Sequence, residues 1–277
     1  SNVTLVALAA AVGAEVCENY SDVDGIFTAD PRLVPNARKI DTISYDEMLE
    51  LASLGANVLH NRAVEFAKKY NVPIHVRSSQ NRKKGTLIVA ETPSMERIVV
   101  SGAALKDKLA RITLKNVPNH PGTAAEVFQT VAAAGIVVDD IIQTVADNAL
   151  ATVAFTIDLG ELSDAREVID KLCRELGCQA VVEDDLAKVS VVGMGMRIHT
   201  GVADRMFRTL ADAKINIQNI TTSEIKISVL IDRNDGPEAL RLIHDAFELG
   251  KAPTSRSKPA AGKGKKAAKA SKARKRK

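Results

Sequence analysis

Cysteine is scarce in this 277-residue chain: Cys17, Cys173 and Cys178 are all it has. They are unevenly placed, with neither CxxC nor HxxxC spacing, which argues against a disulfide framework and a zinc site and suits a reducing cytoplasm. Long apolar runs are also lacking. None approaches the roughly 18 residues that span a bilayer, so neither a membrane partner nor a cleavable signal is expected. Acidic residues are missing from one end. Residues 251–277 hold 12 Lys and Arg and no Asp or Glu. The remaining 250 carry 38 less 12, or 26, basic groups against 34 acidic ones, a net of −8, although the whole chain is +4. The basic character therefore belongs to a tail. An Ala/Lys/Gly/Pro/Arg segment cannot build a packed core, and a solvated extension is expected. The alternative is a nonspecific nucleic-acid contact through counterion release, with no aromatic residue in the tail to stack a base.

The body is different. With 45% hydrophobic residues overall it has ample core material, and its length allows two ordinary domains or three small ones. It opens on TLVALAAAVGAEV, apolar nearly all round and stopped at Gly13, which predicts a buried helix leading into a strand near Glu15–Tyr20. A loop dense in Asp, Gly and Pro follows. Ser44 and Glu47 form a capping box that starts a helix ending at Gly55. A second helix is expected over Val58–Tyr70, closing at Asn71, then strands at Val72–Val76 and Thr86–Ala90. Pro73 suits a strand's opening position or an edge. Alternating helices and short strands indicate an α/β layer.

Beyond the polar connector 91–96 lies an internal repeat. ARITLKNVPNHPGTAAEVFQTVAAAGIVVDDII from Ala110 and AKVSVVGMGMRIHTGVADRMFRTLADAKINIQNI from Ala187 share a strand, a His-x-Gly, a helix with Phe and a second strand. His120/His199, Gly122/Gly201, Phe128/Phe207 and Ile136/Ile215 are each 79 apart, the mark of a duplication. Each copy reads β-α-β-β-α-β, the ferredoxin-like order. In the first, the elements are Ala110–Val117, a helix ending at Gly135, Val137–Val145, Ala151–Ile157, a helix from Ser163 to Gly177, and Gln179–Glu183. The second has Ile225–Asp232, with Ile225, Ile227, Val229 and Ile231 on one face, and a helix from about Pro237 to Phe247. There the tail begins where a fourth strand should stand. The unassigned strand Arg97–Ala103 is inferred to complete the second copy, placing the first copy inside it. The paired histidines are better explained as duplicated turn residues than as a metal site, and Cys173 and Cys178 as packing residues.

SDVDGIFTADPR, ISYDEMLELASLGANVLH, RAVEFAKKYNVPIHVRSS, the repeat pair and INIQNITTSEIKISVLI resemble the aspartate kinase family over about residues 1–249. The resemblance implies an α/β and α+β chain: the C-terminal part of an amino-acid-kinase domain (1–90), a linker (91–96), a strand completing the second ACT domain (97–106), a first ACT domain (107–184), a second (185–250) and the tail (251–277). It implies ATP-dependent phosphorylation of the L-aspartate β-carboxylate with Mg²⁺, on the route to lysine, threonine and methionine, inhibited by threonine, lysine or both. The family's Lys-Phe-Gly-Gly-Thr-Ser segment would lie upstream of Ser1, so the chain is expected to be N-terminally truncated and inactive alone. The alternative is a non-catalytic regulatory subunit or degenerate paralogue.

By the same resemblance Ser21, Asp22, Phe27, Thr28, Ala29, Asp30, Pro31, Arg32, Asn57 and Val58 line the ATP pocket, with Arg32 offering a planar fork to phosphate. Asn57 stands where the family usually has Lys, Asn61 where it has Pro, and Asn2 where it has Asp. The implied effector contacts are Asn119, Gly122, Ala124, Val137, Val138, Asp139 and Gln143, with Val202, Ala203, Asn216, Ile217, Ser223 and Glu224 from the second copy. A helix N-terminus after Gly122 or Gly201 suits an α-carboxylate, and Asp139 or Glu224 an ammonium. Pairing as a homodimer through ACT domains, or with a full-length kinase subunit, is expected.

Overall fold

The computed structural model describes residues 2–55, 58–92, 95, 98–145 and 149–251. Asn57 and the tail beyond 251 lie outside them. The first layers comprise α1 (Asn2–Ala11), β1 (Cys17–Ser21), β2 (Thr42–Ser44), α2 (Tyr45–Ser53), α3 (Asn61–Tyr70), β3 (Ile74–Ser78) and β4 (Thr86–Val89). Their sheet has the order β1-β3-β4-β2, with β1/β3 and β2/β4 parallel and β3/β4 antiparallel. α2 begins at the capping box. The Ser44 hydroxyl accepts the Glu47 N–H, and the Glu47 carboxylate returns to the Ser44 N–H at 3.1 Å; such a cap contributes about 1 kcal/mol. α3 stops where Asn71 turns left-handed at φ 52°. Pro73 sits just before the central strand β3, and its carbonyl accepts the Cys17 N–H at 2.8 Å. Met48, Leu51, Ala63, Val64, Ile74, Val76 and Ile88 form the core between helices and sheet.

α1 is not buried all round. Only Val6 and Ala9 are enclosed, and Leu8 and Val12 are 62% and 69% exposed, because among the described residues α1 is covered on the α3 and β1 side.

The remaining elements are β5 (Gly102–Pro118), α4 (Thr123–Ala133), β6 (Asp139–Val145), β7 (Leu150–Asp158), α5 (Leu162–Leu176), β8 (Gln179–Val192), α6 (Val202–Asp212), β9 (Asn219–Thr222), β10 (Lys226–Asp232) and α7 (Gly236–Ala246). They build one antiparallel six-stranded sheet, β6-β7-β5-β8-β10-β9. β5 and β8 are long strands that run through both repeats. Leu109–Lys115 pairs with Gln179–Leu186 in the first copy, and Gly102–Lys106 with Lys188–Val192 in the second. A register shift between Lys106 and Leu109, with Lys108 at φ 60°, marks the joint. Each half has the strand order of a split βαβ unit, and the second copy's fourth strand does come from upstream of the first. It starts at Gly102, however, not near Arg97. Ile98–Ser101 is loop, wedged against Gly193, where an added Cβ would stand 2.3 Å from the Val99 carbonyl oxygen.

Each copy packs two helices on its half of the sheet. Phe128 meets Phe155 edge-on at 5.7 Å among Ile112, Leu114, Val127 and Ile169. Met206, Leu210, Val229, Ile231, Leu240 and Ile243 fill the second core, joined by Ala29 and Val34 of the first layers. The alternation expected along β10 is only half the picture. Ser228 and Leu230, on its other face, are buried too, Leu230 with Leu109 and Leu186. Among the described residues no helix is long and apolar enough to cross a membrane.

Candidate functional site

Two regions gather the chemistry. The first is the loop-to-helix corner of each repeat. Gly122 (φ 105°) and Gly201 (φ 91°) are the N-cap residues of α4 and α6, both left-handed, a conformation open to glycine. Neither cap supplies a side-chain acceptor; at α4 the Thr123 N–H donates to the His120 carbonyl at 3.3 Å, and the N–H groups that follow it in the first turn form an anion-seeking end. At α4 this end opens into a cleft of about 440 Å³ between the close of β5 and strands β6 and β7. Asn119, Gly122, Ala124 and Gln143 line it, four of the residues expected from sequence. Val117, Pro118, Ala151 and Val153 line it as well. These were missed because they are ordinary strand-end positions whose convergence depends on the β5/β7 register. His120 turns its Nδ1 to the Thr123 hydroxyl at 3.0 Å, which stabilises the corner.

The other expected effector residues stand apart from this cleft. Val137 is exposed, and Val138 packs against the first ACT-like core. Asp139 is taken by Lys188 at 2.6 Å, and Asp140 pairs with the same ammonium. Lys188 is buried. Burial pushes the Asp139 carboxyl up, and Lys188, together with Lys106 and the Asp140 N–H, more than offsets that and holds it below the usual range. Glu224, expected as the other ammonium partner, is 80% exposed and lies 3.2 Å from Arg197. Both carboxylates are thus already engaged by cations of the chain. From the second copy, Val202 is core, Ala203 and Ile217 pack against that core, and Asn216 and Ser223 are exposed. Among the described residues the α4 cleft has no Asp, Glu, Lys or Arg in its lining, so it offers amides to a carboxylate and neutral oxygens, such as the Gln143 side chain, to an ammonium.

The second region is the C-terminal end of the parallel pair β1/β3, where α/β sheets receive ligands. Ser21 closes β1 opposite Ser78, and its hydroxyl donates to Asp22 at 3.0 Å. Asp24 accepts from Asn81 and Lys83, which hold its carboxyl below the usual range. Arg32 lays Nε and Nη2 on the Asp30 carboxylate, with Nη2 at 2.7 Å. This pairing lowers the Asp30 pKa and raises that of Arg32. The fork is therefore spent on Asp30, leaving its other edge on a side chain 86% exposed. A separate cleft of about 840 Å³, which neither Ser21 nor Asp22 lines, is formed by Asp30, Arg32 and Gly55 with Lys106, Asp107, Lys108, Asp158 and Arg233 from the repeat side. Its four cations suit a phosphate-bearing ligand, and its three carboxylates oppose one. Pro31 is exposed, Phe27 bridges to Lys39, and Val58 packs against the first core.

Thr28 and Ala29 point elsewhere. Both are buried toward the second repeat, and the Thr28 hydroxyl lies 3.0 Å from Nε2 of His244 on α7. His244 and Lys188 are polar residues that sequence reasoning passed over, and it saw Glu47 only as a capping residue, not as the acceptor for Ser101 and Met194. Among the described residues no cluster of three His, Cys, Asp or Glu side chains could hold a metal ion.

Three family models match the chain: the amino acid kinase family over residues 1–78, and the ACT domain over 111–177 and again over 189–247. Pseudomonas aeruginosa aspartokinase is 47% identical over 252 residues, 90% of this chain and 61% of the relative. The chain therefore spans about three fifths of the length of such curated relatives. E. coli aspartokinase III, solved with aspartate and ADP, superposes with a TM-score of 0.74 at 30% identity over 88% of this chain and 55% of that one. The same enzyme solved with lysine and aspartate gives 0.71 at 30% identity, over 89% and 55%. The ligand-free regulatory subunit of Thermus thermophilus aspartate kinase is 40% identical, with a TM-score of 0.51 over 54% of this chain and 99% of the subunit. A repeated ACT module joined to an amino-acid-kinase layer, matched in both sequence and fold, leads to one conclusion: the chain belongs to the aspartate kinase family.

Proposed function

We propose that this chain carries the amino-acid-sensing module and part of the nucleotide side of an aspartate kinase, the enzyme that transfers a phosphoryl group from ATP to the β-carboxylate of L-aspartate. The observation that carries the sensing role is the α4 cleft. Left-handed Gly122 opens a helix N-terminus onto a concave site sized for an amino acid, and free first-turn amides are matched to an α-carboxylate. The effector is threonine or lysine. With Asp139 and Glu224 engaged by Lys188 and Arg197, the ammonium is met by neutral oxygens of the cleft or by a second chain. A homodimer through the ACT sheet edges is supported by exposed Ile141, Val145 and Ile220 on the edge strands β6 and β9.

On the nucleotide side, Ser21, Asp22 and Arg32 would hold ATP, with Lys106, Lys108 and Arg233 sharing a cleft with Arg32. ATP supplies the phosphoryl group, and Mg²⁺ neutralises its charge when bound. Thermal denaturation of the purified chain with threonine and with lysine tests the sensing role. An effector at 100 times its Kd adds about 2.7 kcal/mol, and no shift with either amino acid refutes it. A second reading, a regulatory subunit acting on a separate kinase chain, is favoured by coverage of 99% of the Thermus subunit. Co-migration with a full-length aspartate kinase in size-exclusion chromatography distinguishes it.

A further inference from the structure

The duplicated modules differ in one telling respect. Asp158 and Asp232 cap equivalent turns, each accepting from the N–H two residues on, which sets an offset of 74 between α5 and α7. At that offset Leu162, Ala165 and Ile169 match Gly236, Ala239 and Ile243, all buried. Four residues apart on the next face, Leu240 and His244 are wholly buried, whereas their counterparts Arg166 and Asp170 are exposed. α7 thus has a second buried stripe that α5 lacks.

The segment between β1 and β2 covers that stripe. His244 Nε2 lies 3.0 Å from the Thr28 hydroxyl, Asn36 donates to the Asp245 carboxylate at 2.9 Å, and Arg38 Nε donates to the Lys251 carbonyl. Thr28 is held from every side. Its carbonyl accepts the Ala103 N–H of β5, its N–H donates to the Arg38 carbonyl, and its hydroxyl accepts the Arg38 N–H at 2.9 Å. The hydroxyl still has a second lone pair and its own proton, so either ring tautomer completes the contact with Nε2. Nδ1 is buried and, among the described residues, has no hydrogen-bond partner, with the Asp245 carboxylate 3.8 Å away. The first repeat builds an equivalent core with no histidine there, so packing of the second repeat alone does not call for this costly side chain.

We propose that His244 is a positioning residue for the segment 26–40. Through Thr28 it ties the stretch carrying Phe27–Arg32 to α7, so that movement of the second ACT module is felt at the nucleotide side. That regulatory consequence rests on the nucleotide reading given above; the tie itself does not.

Amide hydrogen exchange on the full chain tests it, comparing wild type with His244→Leu and His244→Gln. In His244→Leu, exchange across 26–40 accelerates at least tenfold while α4 and α6 stay within twofold. His244→Gln, whose side-chain amide can accept from or donate to the Thr28 hydroxyl, restores protection to within threefold. Thr28→Val, made from the other side of the bond, reproduces the local acceleration if His244→Leu fails to fold. Unchanged exchange across 26–40, equal acceleration in α6, or no rescue by Gln overturns the proposal. ADP titrated in parallel binds about fivefold more weakly to His244→Leu, with threonine affinity unchanged. Failure of wild type to bind ADP refutes the nucleotide reading and leaves the exchange result to decide the tie.

Discussion

Replacing Glu47 by glutamine changes one atom's chemistry at a junction of three parts of the fold. The carboxylate is 1% exposed, and both its oxygens are doubly occupied. Oε2 accepts from the Ser44 N–H and the Ser44 hydroxyl at 3.1 and 2.8 Å; Oε1 accepts from the Ser101 hydroxyl and the Met194 N–H at 2.5 and 3.0 Å. A glutamine can present an oxygen to one pair only. Its amide group meets the other pair with hydrogens. A hydroxyl can rotate to accept, but the backbone N–H beside it cannot, so either Ser44 or Met194 is left with an orphaned buried donor. An unsatisfied buried donor costs about 1–3 kcal/mol, and the surviving bonds lose their charge assistance, so Glu47→Gln should cost about 2–4 kcal/mol. In a chain of this size that is a fall in melting temperature of about 5–15 °C. Thermal and urea unfolding measure it, with Ser101→Ala as a control that removes one rotatable donor and costs about 1 kcal/mol. A Glu47→Gln variant within 0.5 kcal/mol of wild type would refute the assignment of Glu47 as an acceptor shared between α2 and the second ACT module.

Lys188→Met leaves Asp139 and Asp140 side by side without their shared cation, and should destabilise by about 3–5 kcal/mol in urea unfolding, with little salt dependence. Gly122→Ala puts a Cβ into empty space but onto a backbone at φ 105°. It should cost about 1–2 kcal/mol by conformational strain alone and weaken effector binding measured by calorimetry, whereas Ala124→Ser should leave stability within 0.5 kcal/mol. His244 gives a pH signature. Burial is the main cause holding its pKa below the ordinary 6.5; Arg38 adds to this and Asp245 opposes it. The fold therefore favours the neutral ring: its contribution is complete above pH 6.5 and is lost as pH falls from there through the depressed value. Melting temperature should decline across that window in wild type and flatten in His244→Gln.

What was legible in the sequence was what is decided locally. The Ser44/Glu47 box, the Asn71 stop and the glycines at 122 and 201 each depend on a few neighbouring residues, and the duplication showed because one period recurred across many positions. The upstream origin of the second copy's last strand followed from counting strands. Its start did not, because Val99 and Val100 alternate like a strand yet serve as a loop pressed on Gly193. Thr28 looks like part of a ligand loop until α7, 216 residues later, takes its hydroxyl. Asp139 looks available for an ammonium until Lys188 reaches it from another module. β10 reads as one-sided because alternation cannot reveal that Leu109 and Leu186 close its second face. Each of these is a long-range pairing that propensity and period do not encode.

The ribbon of β5 and β8 also makes the inner module a removable cassette. Leu105 faces Val189 and Lys106 faces Lys188 on antiparallel neighbours, so a tight turn joining 106 to 188 would excise residues 107–187 and leave Lys226–Leu230 paired with Lys188–Val192, at the loss of the Ile231/Ala187 and Asp232/Leu186 pairs. The reverse cut is forbidden. A break in the chain between the two copies strips the outer module of a strand it borrows from before the inner one begins, so the pair divides by excision but not by truncation.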